Sequence, residues 1–117
     1  MTLAQIRAYA LSLAEVTEEP HFDRTSFRVR GKIFATARTT EPHIHIFVDA
    51  LERDQALAAH PDHMEKLWWG KEVRGLRVSL KAPAAALKEL LRKAWVAKAP
   101  TGPAKPARRK TRRAVSD

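Results

Sequence analysis

The amino-acid sequence predicts a two-layer α+β domain, an antiparallel β-sheet with helices packed on one face, and three observations predict it. Apolar residues recur at helical spacing near both ends of the chain, whereas between them the apolar spacing falls to two. Pro and Gly punctuate the changes of period. The order read is helix, three strands, helix, two strands, helix (α-β-β-β-α-β-β-α), which suits one sheet with helices on one face. Its other face is then open to solvent or to a partner.

The first helix is expected over residues 2–15. Thr2 and Gln5 fit a capping box, in which each side chain answers a backbone N–H of the other. Leu3, Ile6, Ala10 and Leu13 follow on one face, and Pro20 ends the element or follows its end. From Ser26 to Arg30 the pattern alternates, with Phe27 and Val29 on one side and Arg28 and Arg30 on the other. Gly31-Lys32 marks a tight turn, because glycine accepts positive φ. Residues 32–38 and 43–48 continue the extended pattern, completing a three-stranded meander.

Asp49 and Glu52 offer a second capping box ahead of an Ala- and Leu-rich helix that Pro61 closes. Residues 64–69 and 73–80 read as two more strands linked by Gly70-Lys71-Glu72. Pro83 suits the first turn of a last helix, where its missing N–H costs nothing. In that helix Leu87, Leu90, Leu91, Ala94 and Trp95 face one way, and Lys88, Glu89, Arg92 and Lys93 the other. Pro100 closes it. Beyond it the chain has almost no large apolar side chain, so burial cannot offset the entropy of ordering, and a disordered tail is expected. The division is therefore a folded body over residues 1–97 and a basic tail over 98–117.

At 117 residues there is room for one core. The absence of cysteine excludes disulfides, thiolate metal sites and cysteine nucleophiles. No signal-peptide pattern is seen and no apolar run nears the ~18–20 residues of a membrane span, so the expected address is the cytoplasm. The formal charge is +9, unevenly spread. From Lys98 onward there are seven bases and one acid, whereas residues 1–97 carry 15 bases and 12 acids. Such a concentration points to a polyanionic partner.

Two stretches resemble the MmcQ/YjbR family: Val16-Thr17-Glu18-Glu19-Pro20-His21-Phe22, and Ser26-Phe27-Arg28-Val29-Arg30-Gly31-Lys32-Ile33-Phe34-Ala35. The likeness runs on through Trp69-Gly70 to Gly75 and into the last helix with Trp95, covering roughly residues 3–97. It implies a fold like that of bacterial frataxin (CyaY-like) and a DNA-binding role through a double wing of hairpins. Many members carry a Trp where this chain has Leu76, so no aromatic role is carried over to that position. Frataxin's iron chemistry is not carried over either, since it needs an acidic helix and the first helix here has only Glu15.

The candidate nucleic-acid-binding residues fall in three groups. Arg28, Arg30, Lys32 and Arg38 lie on or beside the first hairpin, and Lys71, Arg74 and Arg77 on or beside the second. In the tail, Arg108, Arg109, Lys110, Arg112 and Arg113 form a cluster of the kind that neutralises phosphates by counterion release. On exposed strands, Lys and Arg also serve simply to discourage edge pairing. Trp68 and Trp69 face opposite ways if both are in a strand, so one can join the core while the other stacks on a base or ligand. His43 and His45 share a strand face, but no H-E-x-x-H or comparable spacing accompanies them, and no metal site or cofactor is expected. No catalytic motif is seen: no G-x-S-x-G, no phosphate-binding glycine loop, no paired carboxylates.

The reading that follows is a monomeric, non-catalytic DNA-binding protein, held nonspecifically to double-stranded DNA by basic hairpins and a cationic tail. The alternative is a small-ligand- or protein-binding domain with a cleft near Trp69 and His21, the tail being accessory.

Overall fold

A computed structural model describes residues 1–99 of the chain; the expected tail beyond, with Arg108, Arg109, Lys110, Arg112 and Arg113, lies outside the described residues. The elements run α1 (Leu3–Ser12), β1 (Val16–His21), β2 (Arg24–Val29), β3 (Lys32–Ala37), β4 (His43–Ile46), α2 (Ala50–Ala59), β5 (Met64–Trp69), β6 (Glu72–Ser79) and α3 (Ala84–Lys98). The six strands form one antiparallel sheet in the order β1-β2-β3-β4-β6-β5. The α+β class and the antiparallel sheet stand as expected.

The strand count does not. Residues 13–15 do not extend the first helix, which ends at Ser12; residues 16–21 add an edge strand, β1, paired to β2 from Val16↔Val29 to His21↔Arg24. Glu18, Glu19 and Pro20 are poor strand formers, which hid it. An edge strand tolerates proline because one row of its N–H groups needs no ladder partner. Glu18 is tied down from both sides, by Arg7 of α1 at 2.5 Å and by the Thr25 hydroxyl at 2.8 Å.

The helix starts follow the chemistry read from the sequence, with two adjustments. Thr2 and Gln5 make the full reciprocal box. Asp49 caps α2 by accepting from the Glu52 N–H at 2.9 Å, while the Glu52 carboxylate reaches Lys93 of α3 at 3.1 Å and so ties the two helices together. Pro83 is the N-cap of α3, one position before the first turn. The first hairpin turn is Arg30-Gly31, both at positive φ (50° and 81°), the combination that matches strand twist. Lys32 opens β3 instead.

All three helices cover one face. Phe27, Val29, Ile44, Ile46, Leu76 and Val78 of the strands meet Ile6, Ala10, Leu87, Leu91 and Ala94 of the helices in one buried cluster. Trp95 seals its rim, donating its indole N–H to the Ala14 carbonyl at 3.0 Å. No helix among the described residues is long and apolar enough to cross a membrane.

Candidate functional site

Opposite the helices the sheet carries a polar row in register: Glu19, Ser26, Thr36, His45, Arg77 and Glu65, one from each strand. Directly paired strand residues point to the same side, so this row is the uncovered face. Ser26 and Thr36 are nonetheless buried, and an arginine is bonded to each. Arg28 donates through Nε to the Ser26 hydroxyl at 2.9 Å, and Arg24 through Nε to the Thr36 hydroxyl at 3.2 Å. Arg24 also donates through Nη1 to Glu41 at 2.7 Å. Anchored at two points, its guanidinium holds one geometry, and its Nη2 is buried with no partner among the described residues.

Beside this row runs a groove of about 480 Å³. Arg24, Thr36 and His45 supply its polar wall; Ile33, Phe47 and Trp69 supply its apolar wall. His21 and Phe22 edge it, Arg74 stands over the Trp69 ring at 5.4 Å, and Lys98 reaches it from the last turn of α3. Gly75 makes the apolar wall possible. A Cβ there would lie 2.5 Å from the Ile46 carbonyl oxygen and 3.2 Å from the Phe47 Cα, both backbone atoms that cannot step aside.

His45 sits in the middle of this face. Its imidazole Nε2 is buried without a hydrogen-bond partner among the described residues. Burial, then the charges of Arg24, His43 and Arg77, push its pKa down to about 4, so the ring is neutral at physiological pH. His43 stacks on it at 5.5 Å between ring centres and approaches Glu41 at 3.4 Å. Burial works to raise the Glu41 pKa, but the bonded Arg24 guanidinium, with the charges of His43 and Arg38, holds the carboxyl below the usual carboxylate range.

The hairpin bases divide into two sets. Arg30 is held by Glu15 at 2.7 Å, Arg38 by Asp23, and Arg77 by Glu65 at 3.3 Å. Arg74 lies 3.6 Å from Glu72. Arg28, Lys32 and Lys71 meet no carboxylate among the described residues. The register puts both hairpin turns, Arg30-Gly31 and Gly70-Lys71, at the same end of the sheet, flanking the short β4.

Trp68 and Trp69 depart from expectation. Neither joins the core: they are 56% and 58% exposed. A bulge between Leu67 and Trp68 shifts the register, and both rings ride on the part of the hairpin that projects past the end of β4. Sequence reasoning missed Phe22, Arg24, Glu41 and Phe47. Phe22 is 94% exposed and has φ at 59°, a conformation bulky residues avoid, yet nothing in its local sequence marks it as part of a surface.

No curated protein matches the chain. Among solved structures it is similar to the crystal structure of the Deinococcus radiodurans protein DR2400, which carries the DUF419 domain, with a TM-score of 0.72 and 22% identity over 82% of this chain and 77% of that one. That likeness shows the α+β fold. The family model for YjbR matches residues 11–97, spanning β1 through α3 and thus the whole uncovered face, and the chain belongs to the YjbR family.

Proposed function

We propose that the protein binds nucleic acid, the backbone lying along the uncovered sheet face and the cationic tail adding affinity without sequence choice. One observation carries this reading: α3 ends at the groove, where Lys98 joins Arg74 and Trp69. The tail bases of the sequence therefore begin where the body is both cationic and aromatic. Lys32 and Lys71 meet no carboxylate among the described residues and can meet phosphates at once, whereas Arg28 is first held by the Ser26 hydroxyl and the Pro20 carbonyl. Arg30, Arg38, Arg74 and Arg77 must exchange a carboxylate first, a cheap step for exposed pairs worth about 0–1 kcal/mol. Stacking on Trp69 or Phe22 would tolerate any base.

The test is fluorescence anisotropy of labelled duplex DNA, single-stranded DNA and RNA against the full chain across a salt series. With five to seven phosphates engaged, log K against log salt should slope by about −4.5 to −6 on duplex. A variant with Arg108, Arg109, Lys110, Arg112 and Arg113 all changed to Gln should still bind, with a shallower slope, and adding Trp69→Ala should weaken it further. Complete loss in the five-fold variant would sink the body's role.

A second reading has its own observation. His21 and Trp69 line one groove together with Arg24 and His45, each of which has a nitrogen with no partner among the described residues. A flat molecule with one anionic group would fit it, the ring on Trp69 and Phe47 and the anion on Arg24 Nη2. Nucleic-acid binding that depends wholly on the tail would favour this reading.

A further inference from the structure

His43 and His45 alone do not make a metal site; an imidazole pair needs a further donor to complete a coordination sphere. The fold supplies one that no spacing in the sequence announces. The loop between β3 and β4 turns back so that Glu41 stands beside the pair, and one ligand atom from each of Glu41, His43 and His45 lies within 4.8 Å of the other two. From these three residues we propose a divalent-metal site of the zinc type at the β3–β4 corner of the uncovered face.

Four features support it. Two imidazoles and one carboxylate, with open positions left, are donors that suit zinc. The two histidines alternate along β4 onto one side, with rings already near parallel at 16°, so their nitrogens can turn toward a common point. Ligands about 2.0–2.1 Å from a metal stand roughly 3.3 Å apart in a tetrahedron, so separations of up to 4.8 Å must tighten by up to about 1.5 Å, within the reach of side-chain rotation. Finally, His45 Nε2 is buried with no partner among the described residues, and a bond there satisfies an atom otherwise left unpaired.

Outer contacts already orient the carboxylate. Glu41 Oε1 accepts from Arg24 Nη1 at 2.7 Å, and its Oε2 lies 3.6 Å from Arg38 Nη1. Hydrogen bonds of this kind fix a ligand's direction. The arginines also oppose a cation, but Arg38 has Asp23 and Arg77 has Glu65, while Arg24 shares Glu41 with the site. The opposing charge makes the expected affinity weaker than that of a closed structural zinc site. The inference is independent of nucleic-acid binding.

The experiment is titration of the full, tag-free chain with Zn²⁺ by calorimetry, and with Co²⁺ by absorption and by NMR of the histidine rings. One equivalent should bind, with Co²⁺ giving visible bands of four- or five-coordinate geometry and shifting the ring signals of His43 and His45. His45→Gln, His43→Gln and Glu41→Gln should each weaken binding at least tenfold. His63→Gln, which alters a nearby loop histidine outside the cluster, should leave it unchanged. Absence of binding overturns the proposal, as does binding that survives His45→Gln or is lost in His63→Gln. Should a substitution unfold the chain, the Co²⁺-induced shifts in the unaltered protein decide, because metal held elsewhere would leave the His43 and His45 signals in place.

Discussion

The two faces of this sheet are built by opposite rules. On the helix side, Phe27, Ile44, Ile46, Leu76 and Val78 have no measurable exposure and no polar atom to satisfy. On the other side, Thr36, His45 and Arg77 sit at neighbouring register positions, and nitrogens of Arg24, His45 and Arg77 there are buried without partners among the described residues. The first arrangement lowers the free energy of the fold. The second spends some of it, since an unpaired buried donor costs about 1–3 kcal/mol relative to one that is hydrogen-bonded. That cost, the adjoining groove and the exposed aromatic rings are the features on which the proposed binding role rests.

The largest expected effect tests the helix side. Phe27→Ala should destabilise by about 3–5 kcal/mol in urea unfolding, because it removes a fully buried ring and leaves a cavity in the core between the sheet and the helix layer. A loss below about 1 kcal/mol would mean that the helix layer does not hold the sheet.

The next concerns His45 and pH. Its pKa is depressed to about 4 from an ordinary 6.5, so the unfolded chain binds a proton before the folded one does. Its contribution is therefore complete above pH 6.5 and is lost as pH falls toward 4. With allowance for partial exposure, the loss is about 1–2 kcal/mol. Glu15, Asp23 and Glu41, whose pKa values lie below the ordinary carboxylate range, lose their contributions only at lower pH still. Urea midpoints measured between pH 7 and 5 should fall for the native sequence and stay level for His45→Gln. Parallel curves would show that the ring is solvated and that the uncovered face carries no such cost.

The smallest effect has the opposite sign. Phe22→Gly removes an exposed ring from a left-handed backbone position, and should raise stability by up to about 1 kcal/mol while weakening any ligand held at the groove's edge. A destabilised variant would place Phe22 with the core-forming residues instead.

How much of this was legible follows from how local each cause is. The capping residues Thr2 and Asp49, the alternation around Phe27 and Val29, and the apolar stripe of α3 act within a few residues, and all were readable. β1 was not, because its pairing to β2 overrode the poor strand propensity of Glu18, Glu19 and Pro20. A cleft near Trp69 and His21 was the expected site of the alternative reading, and both residues line one groove; Arg24, Glu41 and Phe47 carry no comparable signal. Exposure of both tryptophans depended on a bulge and on the shortness of β4, neither of which the dipeptide encodes.

By itself, then, the amino-acid sequence determined the α+β class, the helix caps, the buried apolar set and a charge excess gathered beyond residue 98. Only the tertiary structure decided that the edge is a sixth strand, that both hairpin turns share an end, and that Glu41 meets His43 and His45. The reason is range. Periodicity and capping are set by neighbours along the chain, whereas a site is set by register between strands, and register is fixed by the whole sheet closing on its helices at once.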